Sequence, residues 1–91
     1  AYNARGLVYE NMGETEKALS DYSNAIKYNS KFAEAYINRG SIYSRLSDFE
    51  GAINDLNKAI NLDKNNPAAY FRRGKAHYKM KWFDKALNDY N

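Results

Sequence analysis

Apolar residues in the middle of the chain recur at helical spacing. Tyr36, Gly40, Tyr43 and Leu46 fall at i, i+4, i+7 and i+10, a single stripe along one helix. Phe49, Ala52, Ile53, Leu56, Ala59 and Ile60 trace a second stripe, and Asp48 just before it is suited to cap its first turn. The pattern predicts two helices packed as a pair, with their polar faces outward.

The pair is not unique. Residues 35–43 read Ala-Tyr-x-x-Arg-Gly-x-x-Tyr; residues 1–9 repeat that pattern and residues 69–77 nearly so, with His77 in the last position. Gly6, Gly40 and Gly74 lie 34 residues apart, as do Ala18, Ala52 and Ala86, and Asp21, Asp55 and Asp89. A fixed period of this length marks a supersecondary unit that cannot bury its apolar face alone and stacks on copies of itself. The chain is therefore read as one domain, 1–91, of three repeats: 1–32, 33–66 and 67–91, the third ending inside its second helix. The first helix is expected to run to about Met12, with Gly13 as a left-handed stop, and the second from about Thr15 to Tyr28, burying Ala18, Leu19, Tyr22, Ala25 and Ile26. Residues 29–31 turn into the second repeat. Asn66 caps the third repeat, Pro67 suits its first helical position, and the last helix starts near Phe83. A mid-helix glycine costs about 1 kcal/mol against alanine. Gly40 is thus best explained by a helix approaching too closely for a Cβ, with Ala52 and Ala59 on the facing helix and Tyr36, Tyr43 and Leu56 filling the wider gaps. Gly51 is a weak spot within the fourth helix.

These residues resemble the tetratricopeptide repeat, whose 34-residue pattern sets a large aromatic, Leu-Gly, Tyr, Ala, Phe, Ala and Pro at fixed offsets. Tyr36, Gly40, Tyr43, Ala52, Leu56 and Ala59 occupy six of those positions in the central repeat. Tyr2, Gly6, Tyr9, Ala18, Tyr22 and Ala25 do so in the first, and Tyr70, Gly74, Ala86 and Tyr90 in the third. The departures are arginine (Arg5, Arg39, Arg73) in place of Leu, His77 in place of the inner Tyr, and Ser30 and Lys64 in place of the late Pro. The resemblance implies an all-α fold, an α-solenoid of stacked antiparallel helix pairs in a right-handed superhelix. It also implies a concave groove that holds a peptide or a partner's helix.

Composition narrows the function. With 27% charged and 44% hydrophobic residues, the chain is an ordinary soluble globular sequence. No run approaches the roughly 18 apolar residues of a membrane span, so no membrane role is expected. Cysteine is absent, which excludes a disulfide framework and a thiolate metal site and is compatible with a reducing compartment. A net charge of +3 and a pI near 9.1 lean toward an acidic partner. His77 is the single histidine and is read as a half-buried packing residue. Ser41, Ser44 and Ser47 have no nucleophile elbow, and the isolated glycines make no phosphate loop. No enzyme activity, metal or cofactor is expected. Most of the nine tyrosines are claimed by packing, so no nucleic-acid partner is expected either.

What remains is a surface. In the geometry implied by the resemblance, the candidate peptide-binding residues are Asn3 and Leu7 from the first repeat. The second contributes Ile37, Asn38, Ser41 and Arg45, and the third Phe71, Arg72, Lys75, Tyr78 and Lys79. A family subtype grips the C-terminal carboxylate of heat-shock chaperones with Lys and Asn, Asn, then Lys and Arg from successive repeats. The matching positions here are Asn3, Leu7, Asn38, Ala68 and Arg72, of which only Asn38 and Arg72 fit. Three readings stay open: a peptide-binding adaptor with an acidic partner, a structural or self-assembly repeat module, and chaperone-tail binding through a degenerate clamp. Self-association is expected through the C-terminal end, where Phe83, Ala86, Leu87 and Tyr90 are expected to stay partly exposed. The recurring arginines precede an Asp by 16 residues, which predicts structural ion pairs Arg5 with Asp21, Arg39 with Asp55 and Arg73 with Asp89.

Overall fold

The computed structural model describes residues 1–90. Among them are six helices and no strand: α1 (Tyr2–Asn11), α2 (Thr15–Tyr28), α3 (Ala33–Arg45), α4 (Phe49–Leu62), α5 (Pro67–Lys79) and α6 (Phe83–Tyr90). Consecutive helices pack as pairs, and each second helix of a pair then packs on the first helix of the next. Because α3 and α5 also touch directly, the first helices line the inner side of a stack measuring 36 × 25 × 17 Å.

Helix ends follow local chemistry. The Asp48 side chain accepts the Gly51 N–H at 3.0 Å, and Asn66 accepts the Ala68 N–H at 3.0 Å with Pro67 in the first turn. Gly51 is no defect: a Cβ there would stand 2.7 Å from an Asp48 carboxylate oxygen, so the missing side chain makes room for the cap. The first helix of every pair ends alike. Glu14, Asp48 and Trp82 donate N–H bonds of 2.8 Å to the carbonyls of Tyr9, Tyr43 and His77, the six-to-one closure of a left-handed helix stop. The left-handed residue is Gly13 at φ 80°, but Ser47 and Lys81, both at φ 63°, fill the same position in the later repeats.

The core is built at the junctions. Ala18, Tyr22 and Ile42 form one buried cluster between the first two repeats; Tyr36, Ile37, Leu56, Ala59, Ile60 and Ala69 form a second that reaches α5. One assignment from the hydrophobic stripe fails. Leu46 is 57% exposed whereas Ile42 is fully buried, because Leu46 lies one residue past the end of α3, where the stripe no longer faces α4. Gly40 sits at the contact: a Cβ would approach Leu56 Cγ to 3.2 Å and the Ala52 carbonyl oxygen to 3.3 Å.

Each pair is locked by a guanidinium fork. Arg39 donates from Nε and Nη2 to the two Asp55 oxygens at 2.7 and 2.8 Å. Arg5 makes two bonds of 2.8 Å to Asp21, and Arg73 holds Asp89 at 2.7 Å from Nη2 and 3.0 Å from Nε. The Arg5 hydrogen bonds hold the Asp21 carboxyl below the usual carboxylate range, and the Asp55 hydrogen bonds raise Arg39 above its ordinary value. A third nitrogen crosses the junction, Arg39 Nη1 to Ser23 Oγ at 3.3 Å and Arg73 Nη1 to Asn57 Oδ1 at 2.8 Å.

Two stability measurements follow from this packing. Gly40→Ala gains about 1 kcal/mol of helix propensity but forces a methyl against a backbone carbonyl, an overpacking that costs about 1–3 kcal/mol. Urea unfolding is expected to show a net loss of about 1 kcal/mol; a gain would mean that α3 and α4 can separate freely. Removing either Arg39 or Asp55 strands a charged, partly buried partner, for which about 1–3 kcal/mol is expected. A double-mutant cycle on the two residues is expected to return a coupling of at least about 1 kcal/mol, and independence of the two would mean that the fork is ornamental.

Candidate functional site

The inner face is assembled from α1, α3 and α5, and it divides into three zones of different chemistry. At the start of these helices the amides bond to each other and to a carboxylate. Asn38 Nδ2 donates to Asn3 Oδ1 at 3.1 Å, and Asn3 Nδ2 reaches Glu34 Oε1 at 3.5 Å. Asn3 is buried by this arrangement, so it joins repeats instead of offering a free amide. Ile37 is also removed from the groove: at 5% exposure it packs in the cluster with Leu56 and Ala69, because its position on the helix faces the next repeat. Leu7 remains partly exposed.

The middle zone is basic. Two cavities lie between α3 and α5. One, of about 280 Å³, is lined by Glu10, Ser41, Ser44, Arg45, Arg72 and Lys75. The other, of about 460 Å³, shares Ser44, Arg45 and Lys75 and continues to Ser47, Phe49 and Lys79. The sequence-predicted Ser41, Arg45, Arg72, Lys75 and Lys79 thus meet along one channel. Ser41 Oγ donates to the Ile37 carbonyl at 3.0 Å, leaving an acceptor lone pair toward the cavity. Arg45 is not idle: its Nη2 pairs with Glu10 Oε2 at 2.5 Å.

Glu10 faces the groove, as counting around the first helix places it, but its partners were not legible in the sequence. Its other oxygen accepts the Tyr22 hydroxyl at 2.6 Å, and burial together with this carboxylate raises the Tyr22 phenol above its ordinary value. Tyr22, Glu10 and Arg45 form a chain from the core to the groove. The pairing itself had one sequence signal, that Glu10 and Arg45 are 35 residues apart, one repeat plus one position.

The third zone is aromatic and separate from the second. Phe71 packs on Tyr90 with ring centroids 5.8 Å apart, and Tyr78 meets Phe83 edge-on at 5.6 Å. Phe71 lines a cavity of about 560 Å³ with Pro67, Tyr70, Asn88 and Tyr90. These rings lean toward α6 and do not border the basic channel as anchors between its charges. Lys75 connects the zones, with Nζ 5.7 Å from the Phe71 centroid.

His77 is more deeply placed than the half-buried packing residue expected. It is 7% exposed, and Nδ1 stands 2.8 Å from Asp89 Oδ2 without hydrogen-bond geometry. Among the described residues no group of His, Asp and Glu has the arrangement of a metal site, and no helix is long and apolar enough to cross a membrane.

Comparison with known proteins agrees with this architecture. The sequence model described as TPR repeat matches residues 6–47 and again 42–81. A search of curated proteins returns no match. Among solved structures, the first TPR of Spaghetti (RPAP3) bound to HSP90 peptide SRMEEVD superposes with a TM-score of 0.95 at 29% identity, covering 98% of this chain and 71% of that one. The Arabidopsis OM64 TPR domain gives 0.93 at 33% identity, covering 97% and 73%. The TPR2B-domain:pHsp70-complex of yeast Sti1 gives 0.93 at 32%, covering 97% and 70%.

Proposed function

Because the chain belongs to the TPR repeat family, a fold whose similar solved structures include peptide complexes, we propose that it is a protein-interaction module binding an acidic segment in its inner groove. The observation that carries this reading is the convergence of Arg45, Arg72, Lys75 and Lys79 on one channel between α3 and α5. Glu10 neutralises Arg45 in the same cavity, so the three cations of α5 supply the net positive potential that steers an acidic chain into the cleft. Charges of this kind set orientation and association rate more than affinity. Binding on the order of micromolar, weakened by salt, is the expected regime. Phe49 lines the channel itself, and Phe71 lies beyond Lys75, whose Nζ is 5.7 Å from its ring centroid.

The test is charge reversal. Fluorescein-labelled SRMEEVD, the acidic peptide held by two of the similar structures, is titrated into the chain and into its Arg72→Glu/Lys75→Glu variant. Both side chains are exposed, so helical content and melting temperature are expected to stay nearly unchanged while affinity falls at least about tenfold. Equal binding by the variant overturns the groove assignment.

A second reading, a structural or self-assembly module, draws support from the last helix pair. Phe71, Tyr78, Phe83, Leu87 and Tyr90 are each 46–60% exposed on one face, whereas Ile37 and Leu56, at the positions of Phe71 and Tyr90 one repeat earlier, are buried at a junction. A second copy is the occupant considered, since its α1 presents Tyr2 and Val8, both exposed, at the repeat positions of Tyr36 and Ile42. On this reading, light scattering shows concentration-dependent association that Leu87→Glu abolishes. A monomer at high concentration removes it.

A further inference from the structure

We infer that the groove recognises acidic side chains within an extended segment and not a free C-terminal carboxylate. This rests on the acidic-peptide reading above and names what part of the peptide is held. A terminal carboxylate would need unspent donors at the start of the groove. There Asn38 gives one amide N–H to Asn3, Asn3 gives one to Glu34 and is buried, and Leu7 and Ala68 offer no donor, which leaves a single neutral amide N–H of Asn38 where a clamp needs several charged donors. The exposed Glu34 carboxylate adds a like charge beside that place, and a second carboxylate brought next to it would be repelled. The donors lie farther along. Arg72, Lys75 and Lys79 are spaced three and four residues apart on α5, a rise of about 4.5 and 6 Å. Alternate side chains of an extended strand are about 6.5–7 Å apart on one face, so acidic residues at every second position, or adjacent ones on a twisted strand, can each find a cation. The two cavities that the row borders share Ser44, Arg45 and Lys75.

Glu10 already demonstrates the chemistry. It is a side-chain carboxylate seated against Arg45 in the same cavity, and it accepts a second bond from Tyr22. Nη2 of Arg45 is engaged, and the remaining guanidinium donors stay available to a carboxylate arriving from the groove.

The experiment compares three peptides by fluorescence anisotropy at fixed salt: SRMEEVD with a free carboxylate, the same peptide amidated at its C-terminus, and the free-acid peptide with both glutamates changed to glutamine. The expected result is that amidation changes Kd by less than about threefold, the effect of one lost charge, whereas the glutamine peptide binds at least about tenfold more weakly. The inference is overturned if amidation costs tenfold or more while the glutamine peptide binds nearly as well. Failure of all three peptides to bind instead overturns the acidic-groove reading on which it rests.

Discussion

The bidentate contact between a recurring arginine and a recurring aspartate is the interaction on which the stack depends. The middle of the first helix of each pair is occupied by a glycine where helix meets helix. Close approach gives α3 and α4 good van der Waals contact, but it also brings two backbones together with few side chains to fix their register. The fork supplies that register. A planar guanidinium facing a carboxylate tolerates little sliding or rotation, and Arg39 and Asp55 are shielded enough for the geometry to matter more than in a solvated pair. The same arginine then uses its third nitrogen on the preceding repeat, so one side chain sets both the angle within a pair and the step between pairs.

This explains why the family's usual leucine can be replaced here. An arginine whose guanidinium carbon stands 5.9 and 5.8 Å from the Tyr36 and Tyr43 ring centroids gains cation–π contact with both rings and adds direction. The cost is a buried carboxylate at every repeat, offset by hydrogen bonds from the guanidinium. At the third repeat His77 replaces the inner tyrosine and brings a further nitrogen to Asp89. Arg73 is thereby left to stack on Tyr70 alone among the two usual rings, at 5.4 Å.

Periodicity made most of the helices legible, because burial in a solenoid recurs with the repeat and every repeat is an independent reading of the same rule. The offset of 16 residues from Arg39 to Asp55 was visible for that reason. The equal offset backward, from Arg39 to Ser23 and from Arg73 to Asn57, was equally present but passed unnoticed, since serine and asparagine are too common to stand out. Other features escaped for physical causes. Ser47 and Lys81 adopt a left-handed turn that their types disfavour, and only Gly13 announced it. Ile37 looked like a groove residue because a helical count gives the side of a helix but not how far the next helix overlaps it. Phe71 and Tyr78 share a helix face with Lys75, yet long rings follow the nearest apolar neighbours, here Tyr90 and Phe83, and leave the charges behind.

The separation of charge from aromatic surface has a consequence for recognition. A groove in which rings and cations alternate can bind tightly through desolvated anchors; one in which the cations stand apart attracts quickly but releases quickly, because exposed ion pairs contribute under about 1 kcal/mol each. Glu10 sharpens this. An incoming carboxylate competes with an internal one for Arg45, and the internal one is held in place by Tyr22, so the ligand gains only what the spare donors of Arg45 and the flexible lysines provide. On the proposed acidic-segment reading, discrimination against neutral chains would survive the competition, since a peptide without acidic groups has nothing to offer Arg72, Lys75 and Lys79 in exchange for their water. On that reading the groove would sort partners by charge at modest affinity, and strong binding would have to draw on a neighbouring apolar surface such as Phe71, which lies within reach of Lys75.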